Sequence, residues 1–230
     1  MIRAHPAYRY AKAAADGEIE TPVYIKKQCA EFVSICDGAL PEWTIDEGKV
    51  DRIDALLDLM IMPPDSMKAG MTIKQAAAGY QWLLWIGTLC PTHAKDKTLR
   101  RYQIVILEIA RKNAKTFNVA VFFILLQLTE PKFSKLYSVA PDGKLSREIK
   151  DAMKKIIRSS PALIDHFRIM RDSVICKLTE TEFLPLNYSN DRLDGKLPNS
   201  FLVDEVGALP SNYALEAMRS GQLTIRNRLG

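Results

Sequence analysis

Residues 102–123 read YQIVILEIARKNAKTFNVAVFF, an apolar run, a basic turn and a second apolar run. Tyr102–Ala110 is rich in β-branched residues and has no polar face, which predicts a central parallel strand buried on both sides. Thr116 to Leu128 is long and apolar enough to predict a buried helix. The turn between them, ARKNAKT, sits where a phosphate loop would sit: the general pattern is G-x-x-x-x-G-K-[ST] between a strand and a helix. Ile109 and Ala114 stand in the two glycine positions, and Lys115 and Thr116 match the invariant pair. Such a loop wraps backbone N–H groups around the β- and γ-phosphates of a nucleotide. Lys115 is then the cation for those oxygens and Thr116 the hydroxyl for Mg²⁺. The positive end of the helix dipole adds to both.

A second motif lies downstream. Ser200-Phe201-Leu202-Val203 is a short apolar strand that ends in Asp204-Glu205. Two acids at the C-terminal end of a strand form a Walker B pattern, with Asp204 toward Mg²⁺ and Glu205 as the base for an attacking water. A third lies upstream: Gln81, among Tyr80, Trp82 and Trp85, has an amide able to donate to and accept from an adenine edge.

The remaining chain supplies the frame. Helices are expected over Ala4–Ala15, from Pro22 to about Cys36, over Asp51–Met62 and from Thr72 to about Leu89. After them come a strand at Phe133–Ala140, a turn at Pro141-Asp142-Gly143 and a basic amphipathic helix at Leu145–Ile157. Its residues Arg147, Lys150 and Lys154 are expected to face outward. One or two strands are expected in Arg168–Leu178 and a helix over Ser211–Ser220, with Ser211 a possible N-cap. Strands alternating with helices after a helical preamble predict an α/β fold with a parallel sheet flanked by helices. With the two motifs placed on it, the expected fold class is a phosphate-loop NTPase of the ASCE type. The expected division is a helical N-terminal region, 1–75, and an ATPase domain, 76–230.

Composition bounds the alternatives. The 230 residues are 47% hydrophobic and 26% charged, as in an ordinary globular chain rather than a disordered one. The longest apolar run, Val119–Leu126, falls well short of the roughly 18–20 residues of a membrane helix. Cys29, Cys36, Cys90 and Cys176 are scattered, as are His5, His93 and His166, which argues against zinc and for free thiols in a reducing compartment. The net charge of +5 is uneven. Residues 1–75 carry 9 Lys/Arg and 12 Asp/Glu, whereas residues 132–177 carry 11 and 5. A basic middle suits a polyanion.

Taken in order, Gln81 with Trp82, ARKNAKT (110–116), YSVAPDG (137–143), DG (194–195), FLVDE (201–205) and ALEAMRSG (214–221) resemble the large subunit of tailed-bacteriophage terminases. YRYAKAAADGEIETPVYIKKQC (8–29) also resembles the helical preamble of that family. The family's loop typically reads R-K-N-G-K-[ST] without a first glycine, so Ile109 is a family feature and Ala114 a departure. The resemblance implies an ATPase motor that drives double-stranded DNA into a procapsid through the portal, with ATP and Mg²⁺ as cofactors. It implies a nucleotide site of Gln81, Arg111, Lys112, Asn113, Ala114, Lys115 and Thr116. Arg111 is a candidate for the γ-phosphate in cis or from a neighbouring subunit, and Arg192 a candidate trans-acting finger. Arg147, Lys150, Lys154 and Lys155 are the DNA-facing candidates. The implied partners are DNA, the portal protein, the small terminase subunit and further copies in a ring, in the cytoplasm of an infected bacterium. The family's C-terminal nuclease domain is expected to be absent from these 230 residues. The competing readings are a non-catalytic nucleotide-binding or docking module and another phosphate-loop ATPase such as a helicase.

Overall fold

A computed structural model of the chain describes residues 2–188 and 193–230. The chain divides into two compact units, Met1–Asp58 with Ile73–Gln103, and Leu59–Thr72 with Ile104–Gly230.

The first unit is helical. In α1 (Pro6–Asp16), Ala7, Ala11 and Ala14 are fully buried along one face. Side chains this small let α1 lie close against α2 (Val23–Cys36) and α5 (Gly79–Leu89). Gly79 marks the tightest approach: a Cβ there would stand 2.5 Å from a ring carbon of Tyr10. His5 caps α1 by accepting from Ala7 N, and its Nε2 lies 2.9 Å from Asp54 Oδ1 on α3 (Glu47–Leu59). The single helix expected from Thr72 to Leu89 is two, α4 (Ile73–Ala76) and α5, with extended backbone at Ala78 between them. A two-stranded antiparallel ribbon, β1 (Trp43–Ile45) with β2 (Pro91–His93), completes the unit.

The second unit is a mixed sheet ordered β4-β5-β6-β3-β7. Its strands are β3 (Lys135–Ala140), β4 (Phe167–Ile169), β5 (Val174–Cys176), β6 (Thr181–Asn187) and β7 (Ser200–Val203). The centre is parallel: β3 pairs with β6 (Val139↔Leu186) and with β7 (Val139↔Val203). Strands β4 and β5 join antiparallel beyond β6. The helices α6 (Lys115–Thr129) and α7 (Gly143–Ser159) pack on each other and against β6, with Phe123 and Phe183 4.6 Å apart between ring centroids. Another cluster joins Tyr137, Val139, Leu186 and Phe201 to Ala214 and Met218 of α9 (Tyr213–Gly221). Each fully buried aliphatic or aromatic side chain here contributes roughly 1.5–3 kcal/mol. The short α8 (Pro161–Ile164) follows α7.

Strand β6 escapes a sequence reading because Pro185 interrupts it. Its place in the ladder resolves the conflict. Glu182 N and Tyr188 N donate toward β3, to Ser134 O and Ala140 O, so the even-numbered amides face β3. Pro185 therefore turns its missing donor to the opposite side, where β5 reaches only as far as Phe183.

The expected strand Tyr102–Ala110 is not formed. The run alternates, with Val105, Leu107 and Ile109 half-buried, while Ile104 is 55% and Ile106 88% exposed. A strand buried on both faces needs paired edges. Among the described residues, the rungs between the run and β7 come from the chain's last two residues: Val105 N donates to Gly230 O, and Phe201 N donates to Leu229 O. Leu229 makes a parallel bridge with Ser200. Earlier in this C-terminal segment, Leu223 is 72% exposed.

Candidate nucleotide site

Helix α6 begins at Lys115 because the chain reverses just before it. Lys112 (φ 69°) and Ala114 (φ 57°) both adopt the left-handed conformation. Loops built this way turn successive N–H groups toward one concave side, the arrangement that binds anions. Asn113 N and Nδ2 close the turn on Ala110 O, and Asn118 N donates to Ala114 O. Asn118 is fully buried, and its Nδ2 donates to Asn113 O, so it braces the loop from the first turns of the helix. Its signal in the sequence is one polar residue inside the apolar run TFNVAVFF.

The acids arrive from the sheet. Asp204 N donates to Val139 O, which fixes the end of β7 beside β3. Glu205 follows with φ 51°, and its N–H donates to Asp204 Oδ1 at 2.9 Å. Lys115 Nζ donates to Asp204 Oδ1 at 2.9 Å and to Glu205 Oε1 at 2.6 Å. The two sequence motifs thus meet in space. Partial burial works against the charge on Lys115, yet the hydrogen bonds and charges of Glu205 and Asp204 outweigh it and hold the ammonium above the ordinary lysine range. In return, the hydrogen bond and charge of Lys115 hold the Glu205 carboxyl below the usual glutamate range, with a smaller pull from Arg111. Thr116, second in α6, is half-buried, and Arg111, Lys112 and Asn113 are exposed on the loop.

The other candidates are placed as follows. Gln81 lies in the helical unit, buried, with Oε1 accepting from Ala78 N at the start of α5. Arg192 lies outside the described residues. On α7, Arg147 is exposed and Lys154 half-buried, while the exposed Lys155 pairs with Asp65. Lys150 corrects the outward face expected of it. It is buried, because the β4–β5 turn folds over it and Nζ donates to the carbonyls of Met170 and Arg171. All four cysteines are free, and burial pushes the Cys29 thiol up to about 11 and Cys36 to about 12, as in inert structural thiols. Among the described residues no helix is long and apolar enough to cross a membrane.

Comparison with known proteins fits this geometry. The solved HK97 bacteriophage large terminase superposes with a TM-score of 0.59 at 18% identity, covering 78% of this chain and 36% of that one. The Thermus phage P74-26 large terminase ATPase domain gives a TM-score of 0.42 at 16% identity, covering 54% of this chain and 57% of that one. The chain therefore spans about a third of the length of the HK97 protein. No curated protein sequence matches. The likeness to HK97 shows the fold, an α/β sheet flanked by helices. A family model described as "Terminase large subunit, ATPase domain" matches residues 91–229, more than half of the 230, and the chain belongs to that family.

Proposed function

We propose that the chain is the ATP-hydrolysing motor portion of a terminase large subunit, coupling ATP hydrolysis to packaging of double-stranded DNA into a procapsid. One observation carries this reading: Lys115 at the head of α6 meets Asp204 and Glu205 at the end of β7. Family membership supplies ATP hydrolysis as the general chemistry.

On this reading Lys115 leaves the two acids and pairs with the β- and γ-phosphates. Glu205, released, accepts a hydrogen bond from the attacking water and orients it. The loop amides of Lys112 and Ala114 hold the phosphate oxygens, Asn113 closes the turn that presents them, and Arg111 adds charge beside them. The Thr116 hydroxyl and Asp204 carboxylate are a hard oxygen pair that fits Mg²⁺. When bound, the ion neutralises charge on the phosphates. Gln81 is assigned to the adenine and Arg192 to a neighbouring subunit's site in a ring. Arg147, Lys154 and Lys155 are assigned to DNA, and Lys150 to holding the surface beneath them. The portal protein and small terminase subunit are the proposed partners, in the host cytoplasm. The proposed domain division is the N-terminal helical region, 1–75, followed by the ATPase domain, 76–230.

A second reading, a nucleotide-binding module without turnover, is favoured by one feature. Ala114 occupies a left-handed position that suits glycine, in the loop that must close on phosphate. ATP turnover by the purified chain, with and without duplex DNA, separates the two. The motor reading expects turnover that DNA stimulates. Nucleotide binding with no turnover in either condition selects the module.

A further inference from the structure

We propose that a hollow outside the nucleotide site takes one phosphate group of a nucleic acid backbone. It lies between the N-terminal turns of α7, the C-terminal end of β6 and the β4–β5 turn. This inference rests on the DNA-motor reading and names a contact for it.

The hollow measures about 240 Å³, ample for a phosphate with part of its sugar, and is lined by Ser146, Arg147, Lys150, Arg171, Asp172 and Asn187 among others. Three cations face one carboxylate. Neither Arg147 nor Arg171 forms an ion pair among the described residues, so both guanidinium forks are available to phosphate oxygens. The site is also braced. Lys150 Nζ donates to the carbonyls of Met170 and Arg171, which ties the β4–β5 turn to α7, the helix that carries Arg147. The Ser146 hydroxyl lies 2.8 Å from Asn187 Oδ1 and orients that amide, leaving Nδ2 as a donor. Guanidinium forks with an amide donor are the chemistry of phosphate recognition. Asp172 sets a limit: it disfavours a free dianion more than a singly charged phosphodiester.

The test is fluorescence anisotropy of the 230-residue chain with a short labelled DNA duplex over a salt series, using three variants. Arg171→Gln removes a pocket charge on an exposed turn. Arg158→Gln removes the same charge from an exposed site on α7 that does not line the hollow. Asp172→Asn removes the opposing carboxylate. The expected result is about tenfold weaker duplex binding for Arg171→Gln, the loss of a charge-assisted contact. Its log K against log salt slope falls by about 0.9. Arg158→Gln changes both far less, and Asp172→Asn binds more tightly. Equal weakening by Arg171→Gln and Arg158→Gln overturns the proposal, because the attraction is then a diffuse property of net charge. Inorganic phosphate that binds wild type but not Arg171→Gln, with duplex binding the same in both, also overturns it and assigns the hollow to free phosphate. Nucleotide affinity measured on the same samples keeps the two ideas apart. A wild type that binds nucleotide but no duplex sinks the motor reading. Duplex binding indifferent to Arg171 sinks only the pocket.

Discussion

Lys115 Nζ sits 2.6 Å from Glu205 Oε1, so the cation expected on a nucleotide's phosphates is held by the carboxylate expected to orient the attacking water. On the proposed reading, both groups are released when Lys115 moves to phosphate. The same reading makes Glu205 a proposed competitor for Lys115 as well as a proposed participant in hydrolysis.

Glu205→Gln separates those roles. The amide keeps the shape and loses the charge, so turnover is expected to fall by roughly 10²–10⁴-fold. Nucleotide affinity is expected to hold or tighten, since Lys115 is less firmly engaged. Titration with a fluorescent nucleotide alongside an ATPase assay reads both. Equal loss of affinity and turnover would show a structural role for Glu205.

The same pair sets a pH dependence. Glu205 has a lowered folded-state pKa, so its contribution is present above the unfolded glutamate value, about 4.3, and is lost as pH falls through the folded value. Lys115 is raised, so its contribution is complete below the unfolded lysine value, about 10.4, and is lost as pH rises through the folded one. Glu205 is half exposed, so the stabilisation between those limits is expected to be under about 1 kcal/mol. Denaturant melts should show wild type ahead of Glu205→Gln at neutral pH and level with it below the carboxylate range. A gap that persists in acid would place the stabilisation elsewhere.

Ala114→Gly relieves a left-handed alanine at φ 57°. The intrinsic cost there is roughly 1–2 kcal/mol, offset in part by glycine's greater freedom in the unfolded chain. The expected net gain is about 0.5–1 kcal/mol, with tighter nucleotide binding, read by melting temperature and nucleotide titration. A lower melting temperature would mean that the loop already accommodates the methyl group.

Gly79→Ala tests the helical unit. Its Cβ would meet Tyr10 side-chain atoms at 2.5–2.9 Å, so Tyr10 or α5 must shift. A loss of about 1–3 kcal/mol is expected, as for other overpacked sites. An unchanged unfolding midpoint would mean that α1 and α5 part at no cost.

The sequence made some elements legible and hid others for physical reasons. Helices α6 and α7 follow from unbroken patterns, and β7 with Asp204 and Glu205 follows from an apolar run ending in acids. Strand β6 was hidden by Pro185, whose missing donor matters only on a side that β5 leaves uncovered. Tyr102–Ala110 has the composition of a buried strand, yet composition reports what a segment suits and not whether its edges find partners. Lys150 shows the same limit. Helical spacing put it on the polar face, and a turn some 20 residues later in sequence covered it. Lys115, Thr116, Asp204 and Glu205 were legible as two motifs, whereas the bracing role of Asn118 depends on where the loop lies in space.

The central claim is that Lys115 binds nucleotide phosphate, and nucleotide affinity of Lys115→Ala measured beside wild type tests it most directly. The substitution also frees Asp204 and Glu205, so circular dichroism on the same sample establishes that the fold is retained. The account predicts a folded protein whose ATP binding and turnover are abolished. A folded Lys115→Ala protein that binds and hydrolyses ATP like wild type would contradict it.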